Sequence, residues 1–155
     1  MIKSLKEQLE NWGAARGSTI CFLQQLSDGE LRKPLPRKTF TTIFEQIAEM
    51  AWVQHGLINA LEAKTLDVVD WNIPAFTKDE LLAFMASTDA RMADLLEKCD
   101  GTEEVDWFGE SKGVHGHLAI ICEHEMMHLG QIHAFCWCLG IQIPQDVRKA
   151  MHLTG

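Results

Sequence analysis

The sequence has no stretch approaching the roughly 20 consecutive apolar residues of a membrane span, which argues against a membrane-embedded protein. Strand-like alternation of apolar and polar residues is missing too, as are internal repeats and low-complexity segments, so sheet-rich and solenoid architectures drop out. The first residues, MIKSLKEQLENW, are charged and amphipathic and lack the apolar core and small-residue cleavage site of a signal peptide, which predicts a cytoplasmic protein. Basic residues are few: 14 Lys and Arg against 22 Asp and Glu leave a net charge of −8. No basic patch or stripe offers a footprint for nucleic acid. The five cysteines, Cys21, Cys99, Cys122, Cys136 and Cys138, are odd in number and lack zinc-ribbon spacing. They suit reduced core thiols better than a disulfide framework. Tyrosine is absent, and five Trp and seven Phe supply the aromatic core, with some left to line a pocket.

What is present is helical periodicity. A chain of 155 residues reads as one domain, 1–155, large enough to bury a core without disulfides. Ile2, Leu5, Leu9, Trp12, Arg16, Thr19, Leu23 and Leu26 follow a three-four spacing that marks one face of a first helix. Arg16 and Thr19 interrupt that seam, either facing an internal cavity or, for Arg16, snorkelling to solvent. Ser27-Asp28-Gly29 ends the helix, and Pro34 and Pro36 hold an irregular connection. A second helix is expected from Thr39 or Thr41 to about Glu62, with Phe40, Ile43, Ile47, Met50, Ala51, Ile58 and Leu61 inward. The stretch from Ala63 to Phe76, with Trp71 and Pro74, reads as a loop over one end of the bundle. Thr77 and Glu80 form a capping-box pattern opening a third helix, with Leu81, Met85, Thr88, Met92, Leu95 and Cys99 as its seam. Asp100-Gly101 stops it, and a polar connection with Trp107-Phe108-Gly109 and Gly113 follows. The last long helix runs from Val114 or His117 to Gly140, with Pro144 beyond it and a short terminal helix from Asp146 to Met151. The expected fold is all-α: a four-helix bundle with long crossover linkers and a short C-terminal helix.

The chemistry concentrates between Cys122 and Gly140. At 100° per residue His117, Ile121, His124, His128, Gln131 and Phe135 fall on one stripe, too polar for an ordinary core. His124 and His128, four residues apart, project from nearly the same face and make half of a divalent-metal site. The letters HEMMH also satisfy H-E-x-x-H, in which Glu125 would activate a zinc-bound water. Context speaks against a metalloprotease: Gln131 and Ala134 stand where the extended motif needs Gly and His, and no strand-rich segment precedes it. Off the stripe, Glu125 is expected to support the site from the side or to face solvent.

The segment EHEMMHLGQI (Glu123 to Ile132) resembles the last-helix motif of the DinB-like (DinB/YfiT) superfamily, and TFTTIFEQIAEMAW (Thr39 to Trp52) is in the style of its second helix. The resemblance implies a small bundle, often a homodimer, in which two histidines of the last helix and one of the second hold nickel or zinc. It extends to metal-dependent chemistry on a small molecule, such as transfer with a low-molecular-weight thiol or hydrolysis, and gives Gln131 a role in orienting a ligand. Family members read H-[IL]-A-[ED] on the second helix, where this chain reads Gln46-Ile47-Ala48-Glu49. The expected ligands are therefore His124, His128 and Gln46, with Glu49 or His55 as alternatives to Gln46. A Gln carbonyl is a harder ligand than imidazole, so such a site would bind nickel or zinc weakly or not at all. A bundle without metal, serving as a small-molecule binder or dimeric interaction module, is the alternative from another class. Neither nucleic acid nor a membrane is an expected partner.

Overall fold

The computed structural model describes residues 1–66 and 72–153; the expectation for Trp71 lies outside them. Among the described residues three of the six helices begin at a side-chain cap. The first, α1 (Lys3–Gln25), is followed by a single turn, α2 (Asp28–Leu31), opened by a reciprocal capping box between Ser27 and Glu30. Thr42 accepts the Glu45 amide at the start of α3 (Ile43–Ala63), and Thr77 and Glu80 form the expected capping box of α4 (Lys78–Lys98). The longest helix, α5 (Val114–Leu139), stops at Gly140, whose left-handed φ of 66° costs glycine little. A short α6 (Gln145–Ala150) follows Pro144.

Contacts between named pairs fix the helix directions. Gln8 meets His115 and Thr19 meets Glu125, so α1 and α5 run parallel. His128 faces Glu49 while His117 bonds Leu57, so α3 and α5 run antiparallel. Trp52 stacks on Phe84 and Glu62 pairs with Arg91, which makes α3 and α4 parallel neighbours. On α1, Arg16 meets Asp89 while the Gln24 and Leu26 carbonyls receive the Lys78 ammonium from the other end of α4, an antiparallel pair. Of the two long linkers, then, only the one between α3 and α4 joins parallel helices.

The second linker departs from the expected polar coil. It folds as a hairpin, β2 (Glu104–Trp107) and β3 (Glu110–Gly113), and β2 also pairs in parallel with the two-residue β1 (Thr65–Leu66). The fold is mostly helical with a small three-stranded sheet, rather than wholly α. Phe108 and Gly109 both take positive φ, 53° and 91°, the type I′ geometry that matches strand twist. The turn carries little sequence signal, because Phe stands where Asn or Asp usually marks it and because Val105 alone of these eight strand residues is buried, too little for visible alternation.

The four long helices enclose two apolar clusters. One gathers Phe22, Leu23, Ile47, Met50, Met85, Leu129 and Ile132, and the other Leu5, Trp12, Ile58, Met92, Leu96, Val105 and Ile121. Between them every long helix contributes polar side chains: Arg16 and Thr19 from α1, Glu49 and Gln54 from α3, Thr88 and Asp89 from α4, and His124, Glu125 and His128 from α5. This polar layer crosses the interior at mid-height and contains the candidate site. No helix among the described residues is long and apolar enough to cross a membrane.

Candidate metal centre

Rigid helix spacing brings the first two groups together. The rings of His124 and His128 lie edge to face with centroids 4.6 Å apart, and across the α3–α5 interface Glu49 points its carboxylate at both. His128 Nε2 is 2.9 Å from Glu49 Oε2, and His124 Nε2 is 3.8 Å from Oε1. One ligand atom from each residue fits within 4.8 Å of the other two. Glu49 Oε2 has no aligned hydrogen bond despite the 2.9 Å approach, and both Nδ1 atoms are buried without partners. Two imidazoles and a carboxylate form a donor set suited to a divalent transition metal, so the residues fit the group that the resemblance implies. Burial pushes the Glu49 carboxyl upward, but contact with His124 and then His128 outweighs it and holds the group at about 2. Glu49 is therefore ionised and ready to coordinate.

The other expected ligands fall nearby in different ways. Gln46, one turn before Glu49 on α3, is fully buried, with neither amide atom hydrogen-bonded. An unsatisfied buried amide costs about 1–3 kcal/mol, so Gln46 has polar capacity to spare for a group bound beside it. His55 instead packs between Trp52 and Phe84, at ring distances of 5.7 and 5.1 Å, outside the convergent group. Gln131 is half-buried on the histidine stripe, its Oε1 3.5 Å from Arg37 Nη1.

A family model for the DinB superfamily matches residues 11–132, which hold Glu49, His124 and His128. The chain belongs to the DinB superfamily. No curated protein matches it.

In this DinB-superfamily chain Glu125 has a different task from the one that H-E-x-x-H suggests. It neither flanks the site nor faces solvent: it is fully buried, accepting hydrogen bonds from Thr19 and Gln54 and lying 3.3 Å from Arg16 Nη1. Arg16, also buried, donates to Gln54 and to Asp89 at 3.1 Å, and its guanidinium lies 5.0 Å from the Trp12 ring centroid. Burial raises the Asp89 carboxyl, with Arg16 pulling it back and Glu125 adding to the rise. A carboxylate so engaged is not free to take a proton from water, which removes the general base that a metalloprotease needs. The 100° helical step between His124 and Glu125 sends one to the metal cluster and the other to this network. The remaining buried histidines are structural. His117 donates from Nε2 to the Leu57 carbonyl at 2.7 Å and accepts the Trp107 indole N–H at Nδ1 at 3.0 Å; burial lowers its pKa, with the Leu57 bond pulling the other way. His133 packs against Phe22.

Proposed function

We propose that this chain is a divalent-metal-dependent enzyme acting on a small molecule, with His124, His128 and Glu49 as ligands and Gln46 as a neutral neighbour on the same helix. The observation that carries the reading is the convergence of two imidazoles and a carboxylate within 4.8 Å, in a polar layer between two apolar cores. A divalent ion held there by His124, His128 and Glu49 would supply a Lewis acid that lowers the pKa of a thiol or a water. The chain's own groups do the rest. Glu49 offsets part of the cationic charge, and His124, the most exposed of the three at 18%, marks the side from which substrate enters. Gln131 orients the substrate through its amide, and the surrounding apolar clusters keep water out.

The resemblance supports the finer picture of a cytoplasmic four-helix bundle that uses a low-molecular-weight thiol in group transfer, nickel or zinc being the metal. It also supports a homodimer, for which Met127 and Trp137 on the outer side of α5, 51% and 64% exposed, are suitable apolar surface. The competing reading, a metal-free small-molecule-binding or dimeric interaction module, draws on Gln46 standing where the family has His. Metal analysis of untagged protein separates the two. The enzyme reading expects near-stoichiometric nickel or zinc, lost in His124→Ala, His128→Ala and Glu49→Gln. Substoichiometric metal that none of these changes alters would overturn it. Gln46→His is expected to tighten binding at least tenfold if Gln46 faces the same point.

A further inference from the structure

The sequence RKPLPRK, residues 32–38, places four of the chain's 14 basic residues within seven positions that contain no acid. Two of them are occupied elsewhere. Lys33 caps the Leu139 carbonyl at 2.7 Å, and Arg32 lies over the Phe44 ring at 4.1 Å. Arg37 differs. Its guanidinium rests on α5, with Nη1 3.5 Å from Gln131 Oε1 and Cζ 5.8 Å from the Phe135 ring centroid. Gln131 and Phe135 continue the stripe that carries His124 and His128. The step from His128 to Gln131 is three residues, about 4.5 Å along the axis. Arg37 is half-buried, and among the described residues it forms no ion pair.

The loop that presents Arg37 is anchored on both sides. Leu35 is buried, its amide donates to the Thr41 carbonyl at 2.6 Å, and its own carbonyl accepts the Arg37 amide at 2.8 Å. Within the closed segment Phe40 takes a left-handed φ of 48°, an uncommon conformation for an aromatic residue. A guanidinium without a carboxylate partner, held by a tied loop one helical turn beyond a candidate ligand, is a preformed recognition group for a planar anion.

We propose that Arg37 is a specificity-determining residue that binds the carboxylate of a small substrate whose donor atom, a thiolate for example, takes the open side of the centre. This rests on the metal reading above and gives it a substrate class: a short carboxylate-bearing molecule rather than a neutral one. A divalent ion beside the Glu49 carboxylate keeps a net positive charge, and Arg37 adds to it. An anion carrying both a ligand atom and a carboxylate answers both charges. Gln131, in contact with Arg37, holds the guanidinium in place.

The test uses the full chain loaded with cobalt(II), whose visible spectrum reports on coordination, titrated with 3-mercaptopropionate and with the neutral 2-mercaptoethanol. Arg37 recognition predicts tighter binding of 3-mercaptopropionate by about tenfold to a hundredfold, the range of a charged hydrogen bond. Arg37→Ala should bring the two thiols to within about threefold of each other and Arg37→Lys should keep part of the preference, both with cobalt affinity unchanged. An equal preference in wild type and Arg37→Ala, with cobalt bound in both, overturns the Arg37 assignment and leaves the metal reading standing. A chain that takes up no cobalt overturns both.

Discussion

Replacing Arg16 with Met should cost as much stability as truncating a large apolar side chain nearby, and the size follows from what is left behind. In the native protein the guanidinium meets Asp89, Gln54 and Glu125, and Glu125 has no exposure through which water could replace it. Without Arg16 that carboxylate keeps only Thr19 and Gln54 as donors. Removing one member of a buried pair costs about 3–5 kcal/mol, a large share of the 5–15 kcal/mol typical of a whole domain. Glu125→Met leaves the guanidinium with Asp89 and Gln54 and takes the shared acceptor from Thr19 and Gln54, so it should be costly too. The double variant removes both charges and leaves the Gln54 amide and the partly exposed Asp89 carboxylate short of partners, a loss of about 1–3 kcal/mol. It should therefore be more stable than either single variant, with a coupling of several kcal/mol. Urea unfolding followed by far-ultraviolet circular dichroism measures all four corners of the cycle. If the single losses simply add in the double variant, or if Arg16→Met costs under 1 kcal/mol, the two side chains do not depend on each other as described.

Three further outcomes are expected. His117 is held neutral in the fold, so the unfolded chain gains its proton near the ordinary value of 6.5 and the folded chain only at lower pH. Its contribution is present above that value and falls away as pH drops through and below it; unfolding at pH 7.5 and 5.5 should show a steeper loss in wild type than in His117→Gln, and equal slopes would refute the assignment. Burial, with Glu30 adding, pushes the Cys136 thiol up to about 12, while Cys138 is exposed, so a thiol reagent on native protein should label Cys138 and reach Cys136 only on unfolding. Phe108→Asn relieves a left-handed aromatic residue that is 64% exposed, for a gain of about 1 kcal/mol and a rise in Tm of roughly 2–4 °C; a lower Tm would show that the ring contributes more than the strain.

Helix positions were readable because their signals are local. Thr77 and Glu80 cap α4, Gly140 ends α5, and the seam from Leu5 to Leu26 is buried on α1 apart from half-buried Leu9. Leu95 was assigned to the α4 seam, but Leu96 occupies the interior there, since one residue shifts a helix by 100°. His124 and His128 stood out because both lie on one helix. Their partner did not, because Gln46 and Glu49 lie 60° apart on α3 and both face inward; which one approaches the imidazoles depends on how α3 and α5 dock. Gln54 carried no signal of its own. Its role exists only through Arg16 and Glu125, which reach it from α1 and α5.

The division of the interior into two apolar clusters makes the candidate metal centre a joint. Glu49 and His128 are flanked by Ala48, Met50 and Leu129 of one cluster, while His124 follows Ile121 of the other. The donor set therefore straddles a seam where two halves of the molecule, each with its own packing, are held in register by charged and polar groups. Local opening of either half separates the donors before the other half loosens, so amide exchange along α5 is expected to break into two protection levels near His124. Metal occupancy, by bridging the seam, would then merge them into one.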